Sequence, residues 1–365
     1  MSESAQTIRV DTASAASAQH LAPLLGALER GAWVGCPTET LYVLATRSDR
    51  MSARDELEAL ANCGAERRLT WLVRSNEQVR ALGTTSAVVR RLIERYWPGP
   101  LTLLLPGRTT LAPAAEHEGW TAVRRPAHPH TAQLLELAPY ALVAADASRS
   151  GEPAAREAAA LLERFGALLA CVLDAGPSRM AEPSTLLAVG AGRFELLREG
   201  LIDLAALRAT AGLRIGMVCT GNTCRSPMAE ALARAALARR LGAPLSRLQD
   251  FGFSVTSMGV YAASGAPASA HSVSVLAERG VDLSEHRSQP AAPELVARLD
   301  RVYALTRSHL EALEQALPPG KSKHCMLLDP QGRDIADPIG GPRSEYAVVA
   351  AQIEAAIEQR LAEWA

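Results

Sequence analysis

The stretch Val218-Cys219-Thr220-Gly221-Asn222-Thr223-Cys224-Arg225-Ser226-Pro227 combines a nucleophile, a cationic clamp and a loop of small residues. Backbone N–H groups in a tight Gly/Asn loop turn inward, and the first turn of a helix behind it adds unpaired donors and a partial positive charge. Phosphate is the natural occupant of such a loop. Cys219 at its start and Arg225 six positions later then face one centre, the thiol beneath phosphorus and the guanidinium forked over two oxygens. The amides of Thr220, Gly221, Asn222, Thr223 and Cys224, with the Ser226 hydroxyl, complete the candidate phosphate site.

Bringing a cysteine thiol from about 8.5 to about 5.5 takes ~4 kcal/mol, whereas one helix terminus supplies only ~0.3–1 kcal/mol. Several amides, a guanidinium and a hydroxyl must share that task, so the spacing says more than the cysteine alone. The elements that must position these groups are legible on both sides. Leu213, Ile215 and Met217 alternate as a strand does, and Met228 to Leu241 is Ala/Leu-rich with helical periodicity. The loop therefore sits on a strand-to-helix turn, with Pro227 suited to the first helical position.

C-T-G-N-T-C-R-S-P-M-A-E resembles the signature loop of the low-molecular-weight protein tyrosine phosphatases over roughly residues 213–365, and is most similar to the bacterial protein-arginine phosphatase subgroup. The resemblance implies hydrolysis of a phosphorylated protein through a cysteinyl phosphate, without a cofactor or metal. Two Asp-Pro pairs compete for the general acid, and only Asp337-Pro338 stands in D-P-I-G-G with Tyr346 beyond it, as in that family. Asp337 is assigned, and Asp329 and Asp334 read as solvated loop residues. Asn222 and Ser257 read as loop-shaping groups.

Thr223 stands where tyrosine-specific members carry an aliphatic residue, and Ile339 is not the aromatic residue a phosphotyrosine slot would welcome. Both favour phosphoarginine over phosphotyrosine. Tyr261 reads equally as lining the mouth of the site or as a half-buried structural residue. Cys224 reads equally as a partner for a reversible disulfide with Cys219 or as a small buried side chain. An arsenate reductase would need a thiol relay, and only Cys325 follows Cys224.

The first half contains P-T-E-T-L-Y at 37–42, W-P-G-P-L-T-L-L-L-P at 97–106, V-R-R-P at 123–126, S-G-E-P at 150–153, P-S-T at 183–185 and L-R-E-G at 197–200. In order and spacing these resemble the threonylcarbamoyl-AMP synthase (YrdC-like) family, which implies a mixed α/β domain with ATP and L-threonine as ligands. Three departures argue for altered or lost synthase activity. Ala61-Asn62-Cys63 stands where the family's Lys-x-Arg pair holds ATP phosphates, with Arg67 and Arg68 displaced from the motif. Asp146-Ala147-Ser148 replaces Ser-Ala-Asn, and Val43 replaces a glycine. Thr38, Thr40, Arg124, Ser150, Ser184, Thr185 and Arg198 remain as candidate ligand contacts, for a sensing or scaffold role, although Thr and Ser at strand ends also satisfy backbone groups.

At 365 residues and 48% hydrophobic content the chain suffices for two cores. The expected division is an α/β YrdC-like domain over 1–205, a linker over 206–212, and a small parallel-sheet phosphatase domain over 213–365. Strand candidates are Ala32 to Cys36, Thr70 to Val73, Leu101 to Leu105, Ala122 to Arg124, Ala141 to Ala144 and Leu169 to Leu173. A helix through Leu21, Leu24, Leu25 and Leu28 carries Pro23 in its first turn. In the second half, strands are expected near 253–257, 301–305 and 326–328, and helices over 271–279 and 346–364. The short join, without a Pro or Ser run, favours a fixed arrangement of the domains. Net charge of −1 argues against broad capture of nucleic acid, leaving tRNA or double-stranded RNA as partners only of a local patch or of a bare anion-binding module. Six scattered cysteines, a polar beginning and no apolar run of spanning length read as reduced, cytoplasmic and without membrane contact.

Overall fold

The computed structural model describes residues 5–10, 18–53, 55–56, 69–83, 85–148, 152–320 and 322–365. Two compact units emerge, one from residues up to 207 and one from 208 onward, with 86–88 grouped in the second. Their common class is α/β.

The first unit is built on one mixed sheet. Its strands are β1 (Gln6–Arg9), β2 (Trp33–Pro37), β3 (Tyr42–Arg47), β4 (Thr70–Leu72), β5 (Leu101–Pro106), β6 (Glu116–His117), β7 (Trp120–Arg124), β8 (Leu142–Asp146), β9 (Leu169–Asp174), β10 (Thr185–Gly190) and β11 (Arg193–Arg198). They run in the order β1-β9-β2-β3-β8-β4-β7-β5-β10-β11, with β6 on β7. Helices α1 (Ala18–Glu29), α2 (Ala87–Tyr96), α3 (Pro129–Leu137), α4 (Ala158–Phe165) and α5 (Leu204–Ala211) accompany it. The α1 stripe Leu21, Leu24 and Leu28 is fully buried against Val34, Cys36, Cys171 and Leu173. Each such side chain removes about 1.5–3 kcal/mol worth of apolar surface from water. That outweighs the hydrogen bond Pro23 cannot make, for the helix begins at Ala18 and Pro23 falls in its second turn rather than its first.

Arg198 at the end of β11 pairs with Asp146 at the end of β8, strands five places apart in the sheet order. Five spacings of about 4.8 Å would part them by roughly 24 Å in a flat sheet, so this sheet curls and brings its strand ends together.

The second unit is a four-stranded parallel sheet in the order β13-β12-β14-β15, from β12 (Arg214–Cys219), β13 (Ser254–Gly259), β14 (Arg301–Ala304) and β15 (Cys325–Leu327). Helices α6 (Arg225–Leu241), α7 (Ala270–Ala277), α8 (Pro293–Val296), α9 (Arg307–Ala316) and α10 (Arg343–Trp364) connect and close it. The order reverses at β12, since β13 lies on one side of it and β14 on the other. A ligand crevice is expected beyond the carboxyl end of such a strand, and Cys219 is the last residue of β12. Helix α6 begins at Arg225, so Pro227 is its third residue rather than its first. A missing N–H costs nothing there, because none of the first four has an intrahelical acceptor. No described helix is long and apolar enough to cross a membrane.

Candidate active site

The loop between β12 and α6 is shaped by Asn222, whose φ of 54° lies in the left-handed region that Asn tolerates better than most residues. Its side chain uses every polar atom. Nδ2 donates to Ser226 Oγ and to Ser257 Oγ, both at 2.9 Å, and Oδ1 accepts from the Gln289 N–H at 2.8 Å. Its backbone carbonyl lies 2.8 Å from His286 Nε2. Ser257 passes the chain on to Glu230 at 2.7 Å. The loop is pinned a second time by the Ser269 N–H on the Thr223 carbonyl, at 2.8 Å.

Gly259 lets β13 press against this loop. A Cβ there would stand 2.5 Å from the Thr220 carbonyl oxygen and 2.9 Å from the Asn222 nitrogen, both backbone atoms that cannot step aside.

Cys219 is buried, with Sγ 3.0 Å from Ser226 Oγ. Ser226 accepts from Asn222 and has one proton, which it can give to Sγ or to the Met258 carbonyl at 3.2 Å. The backbone N–H groups of Thr220, Gly221, Asn222, Thr223, Cys224 and Arg225 make no hydrogen bond to any described residue. Buried donors are ordinarily paired. Six consecutive unpaired amides, three of them on the buried residues Asn222, Cys224 and Arg225, make the loop a candidate anion site.

The Arg225 guanidinium is buried and held on three sides. Nη1 donates to the Ile335 carbonyl at 3.3 Å, and Nη2 to Thr220 Oγ1 at 3.4 Å and to Asp337 Oδ2 at 2.5 Å. Asp337 is the half-exposed member, with 41% of its side chain accessible, and its other oxygen accepts from the Ile339 N–H at 3.2 Å. Arg225 and Asp337 thus pair, and the same guanidinium nitrogen reaches Thr220, the residue next to Cys219. Thr223 is half-buried, with its hydroxyl 3.7 Å from Cys224 Sγ. Cys224 is buried and also lies 3.6 Å from the Tyr346 hydroxyl. Tyr261 is not half-buried: it is 79% exposed, and its N–H donates to the Thr220 carbonyl at 2.9 Å.

Asp329 is a correction to the sequence reading. It is buried, not solvated, because its carboxylate closes a turn on the Gln331 N–H at 2.7 Å and binds Arg333 at 2.8 Å. Asp334 is exposed, and it accepts from the first N–H of α9 at 2.7 Å. Burial pushes the Cys325 thiol up to about 11, which suits it poorly to a thiol relay. Among the described residues no group of His, Cys, Asp and Glu is placed to hold a metal ion.

Four participants were not legible as such in the sequence. Glu230 ends the motif C-T-G-N-T-C-R-S-P-M-A-E, which does not say that its carboxylate meets Ser257, and His286 and Gln289 reach the loop through tertiary contacts alone. His309 is the fourth: its ring bridges Thr220 Oγ1 and Thr306 Oγ1, each at 2.8 Å. Thr306-x-x-His309 is a helix N-cap pattern, a signal that marks the start of α9 but not what the ring faces.

In the first unit the candidate contacts fall into two groups. Arg124 donates to Glu39 at 2.6 Å, to Thr40 Oγ1 at 2.8 Å and to the Gly99 carbonyl at 3.2 Å, while Thr38 and Thr40 bond each other at 2.8 Å. Burial pushes the Glu39 carboxyl up, but Arg124 beside it and two backbone N–H groups outweigh that and hold it below its usual range. Removing one partner of such a buried pair costs about 3–5 kcal/mol, so Arg124 is first a structural residue. The second group joins Arg198 to Asp146, to the Ser184 carbonyl at 3.0 Å and to its hydroxyl at 2.8 Å, and Ser184 to Thr102 at 2.9 Å. Val43 lies opposite Asp146 in the β3–β8 register. Thr185 belongs to neither group, since its hydroxyl is spent on the backbone of Ile202. Ser150, Ala61-Asn62-Cys63, Arg67 and Arg68 lie outside the described residues.

A Cys-led anion loop at the carboxyl end of a parallel strand, closed by an arginine and a loop aspartate, is the architecture of a cysteine-dependent phosphatase. The second unit belongs to the low molecular weight phosphotyrosine protein phosphatase family, whose profile matches residues 214–364, and the first to the Sua5/YciO/YrdC family, described as telomere recombination, whose profile matches residues 26–200. The chain is 39% identical over 153 residues to the protein-arginine-phosphatase of Geobacillus stearothermophilus, covering 41% of this chain and 94% of that one. It is 33% identical over 173 residues to the threonylcarbamoyl-AMP synthase of Chromohalobacter salexigens, covering 47% of this chain and 92% of that one. To the threonylcarbamoyl-AMP synthase of Pyrococcus abyssi it is 30% identical over 209 residues, which is 55% of this chain but only 61% of the relative's length.

Proposed function

We propose that the chain hydrolyses phosphoarginine in proteins. The Cys219 thiolate attacks phosphorus and forms an S–P bond as the P–N bond breaks; the electron pair leaves with the guanidine nitrogen, which takes the proton of Asp337. Water then attacks the cysteinyl phosphate while Asp337 accepts its proton, and the S–P bond breaks to return thiolate and inorganic phosphate. Arg225 and the loop amides hold the three equatorial oxygens through both steps.

The observation that carries this reading is the run of six unpaired amides around Cys219, with Arg225 and Asp337 beside it. Phosphoarginine is favoured over phosphotyrosine by the hydroxyl of Thr223, which removes apolar wall from a phenyl ring. The open ring of Tyr261 is a face on which a guanidinium stacks as readily as an arene. The name of the Geobacillus relative points the same way. In steady-state assays of phosphoarginine and phosphotyrosine peptides, the full chain is expected to prefer phosphoarginine, and Thr223→Ile to shift the ratio toward phosphotyrosine by about tenfold, the worth of one to two methylenes. An unchanged ratio in the variant overturns the role of Thr223, and a wild-type preference for phosphotyrosine overturns the substrate.

For the first unit we propose ligand binding with altered or lost adenylation. What supports this reading is the Asp146 carboxylate, which adds negative charge where a triphosphate would have to approach, and Arg198, which is engaged in neutralising that carboxylate. No pyrophosphate is expected from ATP, L-threonine and bicarbonate, and its release at the rate of an ordinary synthase would refute the loss.

A further inference from the structure

The imidazole of His309 takes no part in the mechanism above, yet it is buried and sits directly behind the loop, with both ring nitrogens engaged. Either tautomer of the neutral ring satisfies both bonds, and with the proton on Nδ1 the directions are these. Arg225 Nη2 can only donate to Thr220 Oγ1, which leaves the Thr220 proton free to point at His309 Nε2. Nε2 is then the acceptor, and the Nδ1 proton goes to Thr306 Oγ1, the N-cap of α9. One chain therefore runs from the start of α9 through a ring and a hydroxyl to the guanidinium.

We infer that His309 is a positioning residue for phosphoryl transfer, fixing Arg225 through Thr220. The inference rests on the proposed role of Arg225, and the reason the chain matters lies in what a substrate does to that arginine. In the structure Asp337 is one of its three anchors. Once a phosphoryl dianion enters and Asp337 turns its proton to the leaving group, that anchor is lost, and only the Ile335 carbonyl and Thr220 still aim the fork. Thr220 is exposed at the mouth of the site, so without His309 its hydroxyl is free to turn to solvent. A displacement of about 1 Å in such a clamp costs of order 10²-fold in rate.

The surroundings keep the ring in the form this requires. Burial and the adjacent charge of Arg225 hold its pKa down at about 4, against the opposing pull of Asp337 and Asp334. In the unfolded chain the same ring takes a proton near 6.5. Between those values the unfolded state binds the additional proton, so native stability falls as the pH drops from about 6.5 toward 4, by up to about 300-fold in the folding constant.

The test compares His309→Ala, His309→Gln, Thr220→Ala and the double variant Thr220→Ala/His309→Ala in the full chain, with Cys219→Ser as control. His309→Ala is expected to lower kcat/KM for a phosphorylated peptide at least tenfold, chiefly in kcat. His309→Gln, uncharged at every pH, should recover most of that and flatten the acid loss of stability. The double variant should be no worse than Thr220→Ala, because the two residues act as one chain. Losses that add in the double variant, or a His309→Ala enzyme within twofold of wild type, overturn the inference. Should His309→Ala not fold, His309→Leu, which fills the space of the ring without a hydrogen bond, takes its place in the cycle with Thr220→Ala. An active Cys219→Ser control would instead overturn the site itself, so the two failures are distinguishable.

Discussion

Cys219→Ser is expected to lower turnover of any phosphorylated substrate by at least about 10⁴-fold, the scale on which removal of a nucleophile that acts within a unit is felt. The fold should be unaffected, because a serine hydroxyl can take up the hydrogen bond to Ser226 Oγ that Sγ makes at 3.0 Å. The variant also separates binding from chemistry. The unpaired amides and Arg225 survive the substitution, whereas the charge of a thiolate at the floor of the loop does not. Inorganic phosphate should therefore bind Cys219→Ser as tightly as wild type or more so, by titration calorimetry. Turnover near that of wild type would show that another group attacks phosphorus. Lost turnover accompanied by lost phosphate affinity would show that Cys219 shapes the loop rather than reacting in it.

The phosphate loop was legible because its function is local. Cys219, Asn222, Arg225 and Ser226 stand within eight residues, and a left-handed Asn with a Gly before it leaves a mark in the sequence that a reader can interpret physically. What was illegible is what the fold brings from a distance. Gln289 closes the last polar atom of Asn222, and His309 backs Thr220, from positions whose local sequence describes only a loop and a helix cap. Charge pairing is equally hidden. Asp146 reads as added negative charge until the curled sheet sets Arg198 against it, and Asp329 reads as solvated until a turn and Arg333 enclose it.

The strands show the same limit. β12 flanks a recognisable loop and is plain, although it is buried continuously from Ile215 to Cys219, whereas β3 and β10 of the first unit are short apolar runs beside motif residues and β11 is a charged and apolar mixture. Periodicity cannot separate such a run from the segment it adjoins. β11 pairs with its chain neighbour β10, whereas β3 and β10 each also pair with a strand far along the chain, as where Thr185 lies beside Leu101.

Asp337→Asn carries the second large effect, and its size should depend on the leaving group. Aspartate uses Oδ1 for the Ile339 N–H and Oδ2 for Arg225, and asparagine keeps only one such acceptor; Arg225 retains its bonds to the Ile335 carbonyl and Thr220, so the clamp is loosened rather than lost, while the proton is lost outright. A guanidine nitrogen or a phenolate leaves poorly as an anion, and loss of a general acid there is worth about 10²–10⁴-fold. A nitrophenolate is stable in neutral water and needs no proton. With p-nitrophenyl phosphate the first step should therefore survive, while the second slows for want of the base that draws a proton from water. The expected result is a burst of one equivalent of nitrophenol followed by slow turnover, alongside slow phosphoarginine cleavage with no burst. An equal loss on every substrate, without a burst, would mean that Asp337 acts only by holding Arg225. The two roles are not rivals in the wild-type chain: the carboxylate steadies the guanidinium until phosphate arrives, and is then released beside the atom that needs its proton.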